Sequence, residues 1–536
     1  MIRKRVVLSL LLAALFTLGW FVGRSRATGD LYGNLDLFVE IIHKVEANYV
    51  DPVEPEQLVN GALKGMTRTL DPYSQYLDAK AFANLRTTTQ GQFGGIGVVV
   101  SVRDNYPTVI SPIEGSPASL AGMRSGDQIV KIDGKSAAGL SIDDAADRLR
   151  GPEGTQVTVT VRREGEQEER DVTLERKIIV THSVPYSFMV GKDVGYVRLS
   201  SFAENSGAEV RGALERLRKV GAKSAVLDLR QDPGGLLEQA VDVAGQFLPK
   251  GTQVVQTRGR MRGQDQRYYT TDAGAEKSWP LVLLVDQGSA SASEIVAGAL
   301  QDLDRALLIG RTTFGKGLVQ SVFPLRGTEA ALKLTTARYY TPSGRSINRA
   351  AHDTLSQDEE DDSDVAPAAP TDTSRASAPR YRTTGGRTVF GGGGITPDVV
   401  VLADSLPPLA LDVERRGLPF RFANRWVNTH PGFKPGKTLP DGMWSEFQSF
   451  LGDEKVKFDA QRLARESEII QRAVRRELAR RVDGDAAAAR VALEGDVVFA
   501  RALQVLSHVK TASDVFASAG LEAPRGGASR AGTASR

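Results

Sequence analysis

The chain has 536 residues, 41% of them hydrophobic and 25% charged, with 68 basic against 65 acidic side chains and a formal net charge of +3. That length exceeds one ordinary core and requires several domains, while so even a charge balance excludes the concentrated basic face that nucleic-acid binding needs. The absence of cysteine excludes disulfides, thiol catalysis and Cys-ligated zinc, and it fits an oxidising compartment.

Residues 1–29 read as a signal or anchor segment. "MIRKR" supplies a basic start, and residues 6–23 form an uncharged apolar run of about membrane-span length. "RSRATGD" is a poor cleavage site, so the segment predicts export with retention as an inner-membrane tether rather than removal. Residues 30–90 predict helices, with Leu35, Leu37, Phe38, Ile41, Ile42 and Val45 at helical spacing and a proline turn in "DPYSQYL". From 91 to 179 the texture changes to short β-type runs, among them "GIGVVVSV" and "TQVTVTVRR", with one amphipathic segment, "SIDDAADRLRG". This is the pattern of a small β-rich module.

Residues 180–352 alternate strand and helix. "SAVLDLR", "PLVLLVDQG" and "ALLIG" are apolar runs separated by helical segments, which predicts an α/β core with strands buried on both faces. Residues 353–380 are acidic, rich in Pro, Ala and Ser, and without aromatic side chains, so they predict a disordered insert. The core resumes over 381–404 with "GGITPDVVV". Residues 405–520 predict long helices carrying Leu463, Ile470, Val474 and Leu478, and 521–536 a flexible tail.

The chemistry concentrates in three stretches. "GSASASEIVAGALQD" sets Ser289, Ser291 and Ser293 at alternate positions between a buried strand and a helix. Small residues there serve close helix–sheet packing, but a helix N-terminus also offers backbone N–H groups to a developing oxyanion. "DLRQDPGG" ends an earlier strand with Gly234 and Gly235, either of which can present a second N–H without side-chain obstruction. "RTTFGKGLVQ" sets Lys316 between two glycines after a strand.

A serine nucleophile needs a base. Of the five histidines, His182 alone lies near the start of the core, which makes a Ser–His hydrolase the rival reading. Lys316 is the better base if it is dry: its pKa must fall from about 10.4 toward 7 or 8, roughly 4 kcal/mol of differential stabilisation. Residues 312–320 hold no Asp or Glu, and Gln320 offers a neutral carbonyl to orient the amine.

Together "GSASASEIVAGALQD", "TTFGKGLVQ", "DLRQDPGG", "LDPYSQYL" and "GITPDVVV" resemble the C-terminal processing peptidases, tail-specific serine proteases with a Ser/Lys dyad. The resemblance spans about residues 35–402. It implies Ser291 as nucleophile, Lys316 as base, Gln320 as the orienting residue, and an oxyanion hole from the N–H of Ala292 with that of Gly235 or Gly234. It makes the β-rich module a PDZ domain, with Gly94, Gly95, Ile96, Gly97 and Val98 as the nest for a terminal carboxylate and Ile142, Ala145, Ala146 and Leu149 lining the side-chain pocket. Arg150 becomes a candidate relay to the core. The core itself is expected to be crotonase- or Clp-protease-like, with the PDZ domain inserted and helices at both ends.

The expected function is therefore serine endopeptidase action on exported proteins in the bacterial periplasm, recognised by exposed apolar C-termini. No metal or nucleotide cofactor is expected. The C-terminal helices are candidates for core packing, self-association or adaptor binding. A catalytically silent PDZ scaffold is the other alternative.

Overall fold

The computed structural model describes residues 31–164, 166, 168–271, 278–349, 378–402 and 405–522. The expected signal or anchor segment, most of the acidic insert (353–377) and the tail from 523 lie outside the described residues. The chain divides into two compact units, Met1–Phe82 with Gln320–Thr335, and Ala83–Val319 with Thr336–Arg536.

In the first unit a helix covers 31–48 and a second runs Pro55–Arg68, opened by a proline where its missing N–H costs nothing. The turn expected in "DPYSQYL" follows, and after it a short strand that the helical reading of 30–90 does not include. The Asp71 carboxylate accepts the N–H of Tyr73 and of Ser74, both at 2.8 Å, and this turn delivers a strand, Gln75–Leu77, antiparallel to residues 331–333. A side-chain oxygen competing for local backbone donors ends a helix in favour of a turn.

In the second unit the β-rich module is closed at its base by strand Gln92–Gly95 paired antiparallel with Lys177–Val180. Above that stem, five strands run in the order Val98–Arg103, Tyr106–Pro112, Gln128–Ile132, Gln156–Arg162 and Arg170–Glu175, with Lys135–Ser136 added beside the third. Ile96, Val109, Ile129, Ile132, Val157 and Val159 fill the module's core with helix Ile142–Leu149 across it.

The α/β core is a six-stranded sheet in the order Ser187–Val190, Val194–Arg198, Ser224–Asp228, Leu281–Val285, Leu307–Gly310, Val399–Val400. The first pair is antiparallel and the rest are parallel. Side chains alternate across it, as period-two geometry requires. Leu227, Leu283 and Leu308 meet helices Ser206–Lys219, Leu237–Gly245 and Ala292–Asp302 on one face. Val226, Val282, Leu284 and Ile309 meet helix Val497–Leu506 and Phe516 on the other. The C-terminal region therefore supplies the second cover of the sheet. Its remaining helices bury their own cluster, including Leu463, Ile470, Val474 and Leu478 on the long helix Ala460–Asp483. Arg103 of the β-rich module lies 4.5 Å over the Phe420 ring of that bundle.

Candidate active site

Three loops leave the carboxyl ends of adjacent parallel strands: 229–236, 286–291 and 311–317. Open parallel sheets present their ligand-handling groups at this edge, because every loop there is delivered to the same side. The serine run sits on the middle loop. Ser289 is buried, its hydroxyl donating to the Leu229 carbonyl at 2.8 Å; Ser293 is buried, donating to the Asp232 carbonyl at 3.0 Å. Both tie the serine loop to its neighbour.

Ser291 differs. It precedes helix Ala292–Asp302 with φ +57° and ψ −112°, a conformation a non-glycine residue adopts at a cost of about 1–3 kcal/mol. Its Oγ lies 3.1 Å from the Tyr339 hydroxyl. Tyr339 also donates its main-chain N–H to the Gly317 carbonyl at 3.0 Å, so one buried residue touches both the serine and the lysine loop.

The strained serine is held by Glu294, a fully buried carboxyl three residues into the helix. Its Oε2 accepts the N–H of Ser291 at 2.9 Å and that of Lys316 at 2.8 Å. Its Oε1 accepts the N–H of Gly315 at 2.7 Å and the Thr313 hydroxyl at 2.5 Å. Burial pushes this carboxyl above the usual range despite the four donors. Residues 312–320 contain no acid of their own, and the carboxyl that meets the Lys316 backbone comes from Glu294 on the serine helix. The Ser-x-x-Glu spacing of a capping box was the available signal.

On the first loop Gly234 and Gly235 both have positive φ, +94° and +153°. A Cβ on Gly234 would lie 2.6 Å from the Ala290 carbonyl, 2.7 Å from the Ala292 nitrogen and 2.8 Å from the Ser291 Cβ, so no other residue fits. The Gly234 N–H donates to Asp232 Oδ1 at 2.9 Å. The isolated bridge to Phe202 uses the Gly234 carbonyl and the Leu236 N–H, and the Gly235 N–H takes part in neither contact. At the root of the loop, Asp228 is buried. Burial alone would raise it, but Arg230 at 2.6 Å, Arg198 and the Tyr196 hydroxyl at 2.7 Å hold its carboxyl below the usual range. Arg230 reaches on to Asp496, 2.5 Å away at the start of helix Val497–Leu506.

The other expected site residues are spread more widely. Gln320 belongs to the first unit, where its side-chain amide donates to the Tyr73 carbonyl at 2.7 Å. His182 is 67% exposed, with Nδ1 3.4 Å from Glu209, away from the serine loop's partners. In the β-rich module Gly94 and Gly95 end the stem strand, and Val98 opens the next. The Ile96 carbonyl accepts from Ala118, and the Gly97 carbonyl from Ile113 and the Ser116 hydroxyl. Of the four residues expected to line a pocket, Ile142 is exposed and Ala146 half-buried. Ala145 and Leu149 are instead buried in the module, because the helix turns that stripe inward, and Ile96 is buried in the module's core. The Arg150 guanidinium lies 4.9 Å over the ring of Phe93, on the stem strand.

Comparison with known proteins follows the same division. The family model described as Peptidase family S41 matches residues 193–355, the PDZ domain model 108–163, and the model for the activating protease CtpB N-terminal domain 25–81. The chain is 43% identical over 322 residues to a carboxy-terminal-processing protease of Bartonella bacilliformis, covering 59% of this chain and 73% of that protein. It is 40% identical over 304 residues to a carboxyl-terminal-processing protease of Synechocystis, covering 56% and 70%. Among solved structures it is similar to a photosystem II D1 C-terminal processing protease, at 29% identity and a TM-score of 0.36, over 69% of this chain and 94% of that one.

Proposed function

Because the chain belongs to the carboxy-terminal-processing proteases of Peptidase family S41, and is a serine endopeptidase whose PDZ domain serves C-terminal recognition, we propose that Ser291 is its nucleophile and Lys316 its base. The Ser291 hydroxyl attacks the scissile carbonyl while the neutral Lys316 amine takes its proton. The tetrahedral oxyanion is received by the N–H groups of Ala292 and Gly235, and collapse expels the amine with the proton returned from Lys316. Water then cleaves the acyl-enzyme by the same route. The observation that supports this most is the packing of Gly234 against Ser291 and Ala292, which draws the glycine turn onto the helix N-terminus. Gly235 is preferred over Gly234 because Asp232 already claims the Gly234 N–H. Gln320 is the residue expected to orient the Lys316 amine.

The substrate tail adds as a strand to the PDZ groove, its carboxylate in the nest of Gly94 to Val98 and its apolar last side chain beside Ile142 and Ala146. Arg150, stacked on the stem at Phe93, is the proposed relay from groove to core. We further propose that the enzyme is exported and tethered by residues 6–23, and that exported proteins with apolar C-termini are its substrates. Among the described residues no helix is long and apolar enough to cross a membrane. The outer faces of the C-terminal bundle are the surfaces proposed for an adaptor or a second copy, and the core is proposed to share the crotonase and Clp-protease architecture.

Incubating the purified chain with an unfolded protein ending in an apolar tail tests the dyad. Cleavage by the wild type and its loss in both Ser291→Ala and Lys316→Ala are expected. Full activity of Lys316→Ala overturns the dyad, and equal, negligible cleavage by all three supports a silent scaffold.

A further inference from the structure

We propose that Asp232 is a positioning residue of the oxyanion turn and that it works as a neutral acid, its ionisation lowering the rate of peptide cleavage. The proposal rests on the assignment of Ser291 as nucleophile and extends it to a residue that no step of the mechanism uses.

Asp232 is fully buried between the first and second loops of the sheet edge. Its main chain and its side chain hold different parts of the site. The carbonyl accepts the Ala290 N–H at 2.9 Å and the Ser293 hydroxyl at 3.0 Å, fixing the turn to the residues on either side of Ser291. The carboxyl Oδ1 accepts the Gly234 N–H at 2.9 Å. That contact turns the Gly234 N–H away from the substrate side and sets the peptide plane that precedes the Gly235 N–H. The second oxygen, Oδ2, is buried without a hydrogen-bond partner.

A carboxylate needs several donors to remain ionised out of water, and this one has a single backbone N–H. The groups facing it are the Ser293 hydroxyl from the serine helix and the Arg198 guanidinium from the neighbouring strand, and Arg198 is already drawn to Asp228. Burial outweighs these two and the Gly234 N–H together and raises the Asp232 carboxyl to about 7. As the neutral acid, Asp232 still accepts the Gly234 N–H. As the anion it sets a negative charge behind the peptide unit that must stabilise a second negative charge on the tetrahedral intermediate. Like charges a few residues apart in a water-poor site repel strongly enough to slow the step about tenfold.

The sign follows directly. The protonated, active form predominates below about pH 7 and is lost as pH rises through it. Asp232→Asn keeps the acceptor and removes the charge, so the ratio of its kcat to that of the wild type should rise about tenfold between pH 6 and pH 8.5, with no matching change in KM. Asp232→Ala loses the acceptor and should lower kcat at every pH. A ratio of Asp232→Asn to wild-type kcat that does not change with pH overturns the proposal.

A second measurement does not depend on the variant folding or on the dyad. The full chain carrying Ser291→Ala, labelled with 13C at aspartate carboxyls, should show by infrared difference spectroscopy one buried protonated carboxyl that ionises near pH 7. An Asp232 already ionised at pH 5.5 overturns the proposal even if Ser291 is the nucleophile. Cleavage surviving in Ser291→Ala would instead remove the nucleophile assignment.

Discussion

The carboxyl edge of the core sheet and the C-terminal helical bundle both bury acids, but they treat them differently. In the bundle Glu477 lies against Arg476 at 2.8 Å and Arg480 at 2.5 Å, and Arg476 also grips Glu414 at 2.9 Å. Glu477 and Glu414 are each answered by an arginine, and the result is a clamp between helices. At the sheet edge Glu294 and Asp232 are answered by backbone N–H groups and hydroxyls, and burial raises both. Arginine pairs keep their charge and hold elements together. Acids held by main-chain donors fix the positions of those donors, and donor position is what a reaction centre needs.

The sharpest way to break this contrast is at Gly234, where a side chain meets three atoms of the serine loop. Gly234→Ala should lower kcat/KM at least about 10³-fold while the bundle keeps its helical content by circular dichroism. Glu294→Gln comes next. An amide turns one acceptor into a donor facing backbone N–H groups, so a fall of about 10² in kcat with little change in KM is expected. Asp496→Ala crosses the boundary between the two regions. It removes the helix cap at the Val498 and Phe499 N–H groups together with the ion pair to Arg230, and should cost about 2 kcal/mol of stability by denaturant titration. Tyr339→Phe should have the smallest effect, a change of a few-fold in kcat, since the ring and the main-chain bond to Gly317 survive. If Asp496→Ala reduced activity more than Glu294→Gln, the division into clamp and reaction centre would be wrong.

The sheet was legible because its strands are short apolar runs ending in glycine-rich loops, and the serine run because it opens a helix. Glu294 is legible only as the capping-box partner of Ser291: its other partners, at 313, 315 and 316, are distant in sequence, and two of them donate from the main chain. Tyr339 was hidden for a related reason: its strand reads as ordinary β sequence, and only the fold brings its hydroxyl to Ser291. In the β-rich module the amphipathic stripe predicts a pocket lining, whereas Ala145 and Leu149 are buried within the module. A short helix of eight residues has one apolar face, and the core claims it first.

The bond between Arg230 and Asp496 joins residues 266 positions apart. A chain made from its amino end presents the serine loop long before the helices that cover the far side of the sheet. Until those last segments dock, Val226, Val282, Leu284 and Ile309 lack the cover of Val498, Phe499 and Phe516, and such long-range closure is slow. The second face of the sheet is thus closed last, by the end of the chain, and Arg230 joins that late closure to the root of the glycine turn.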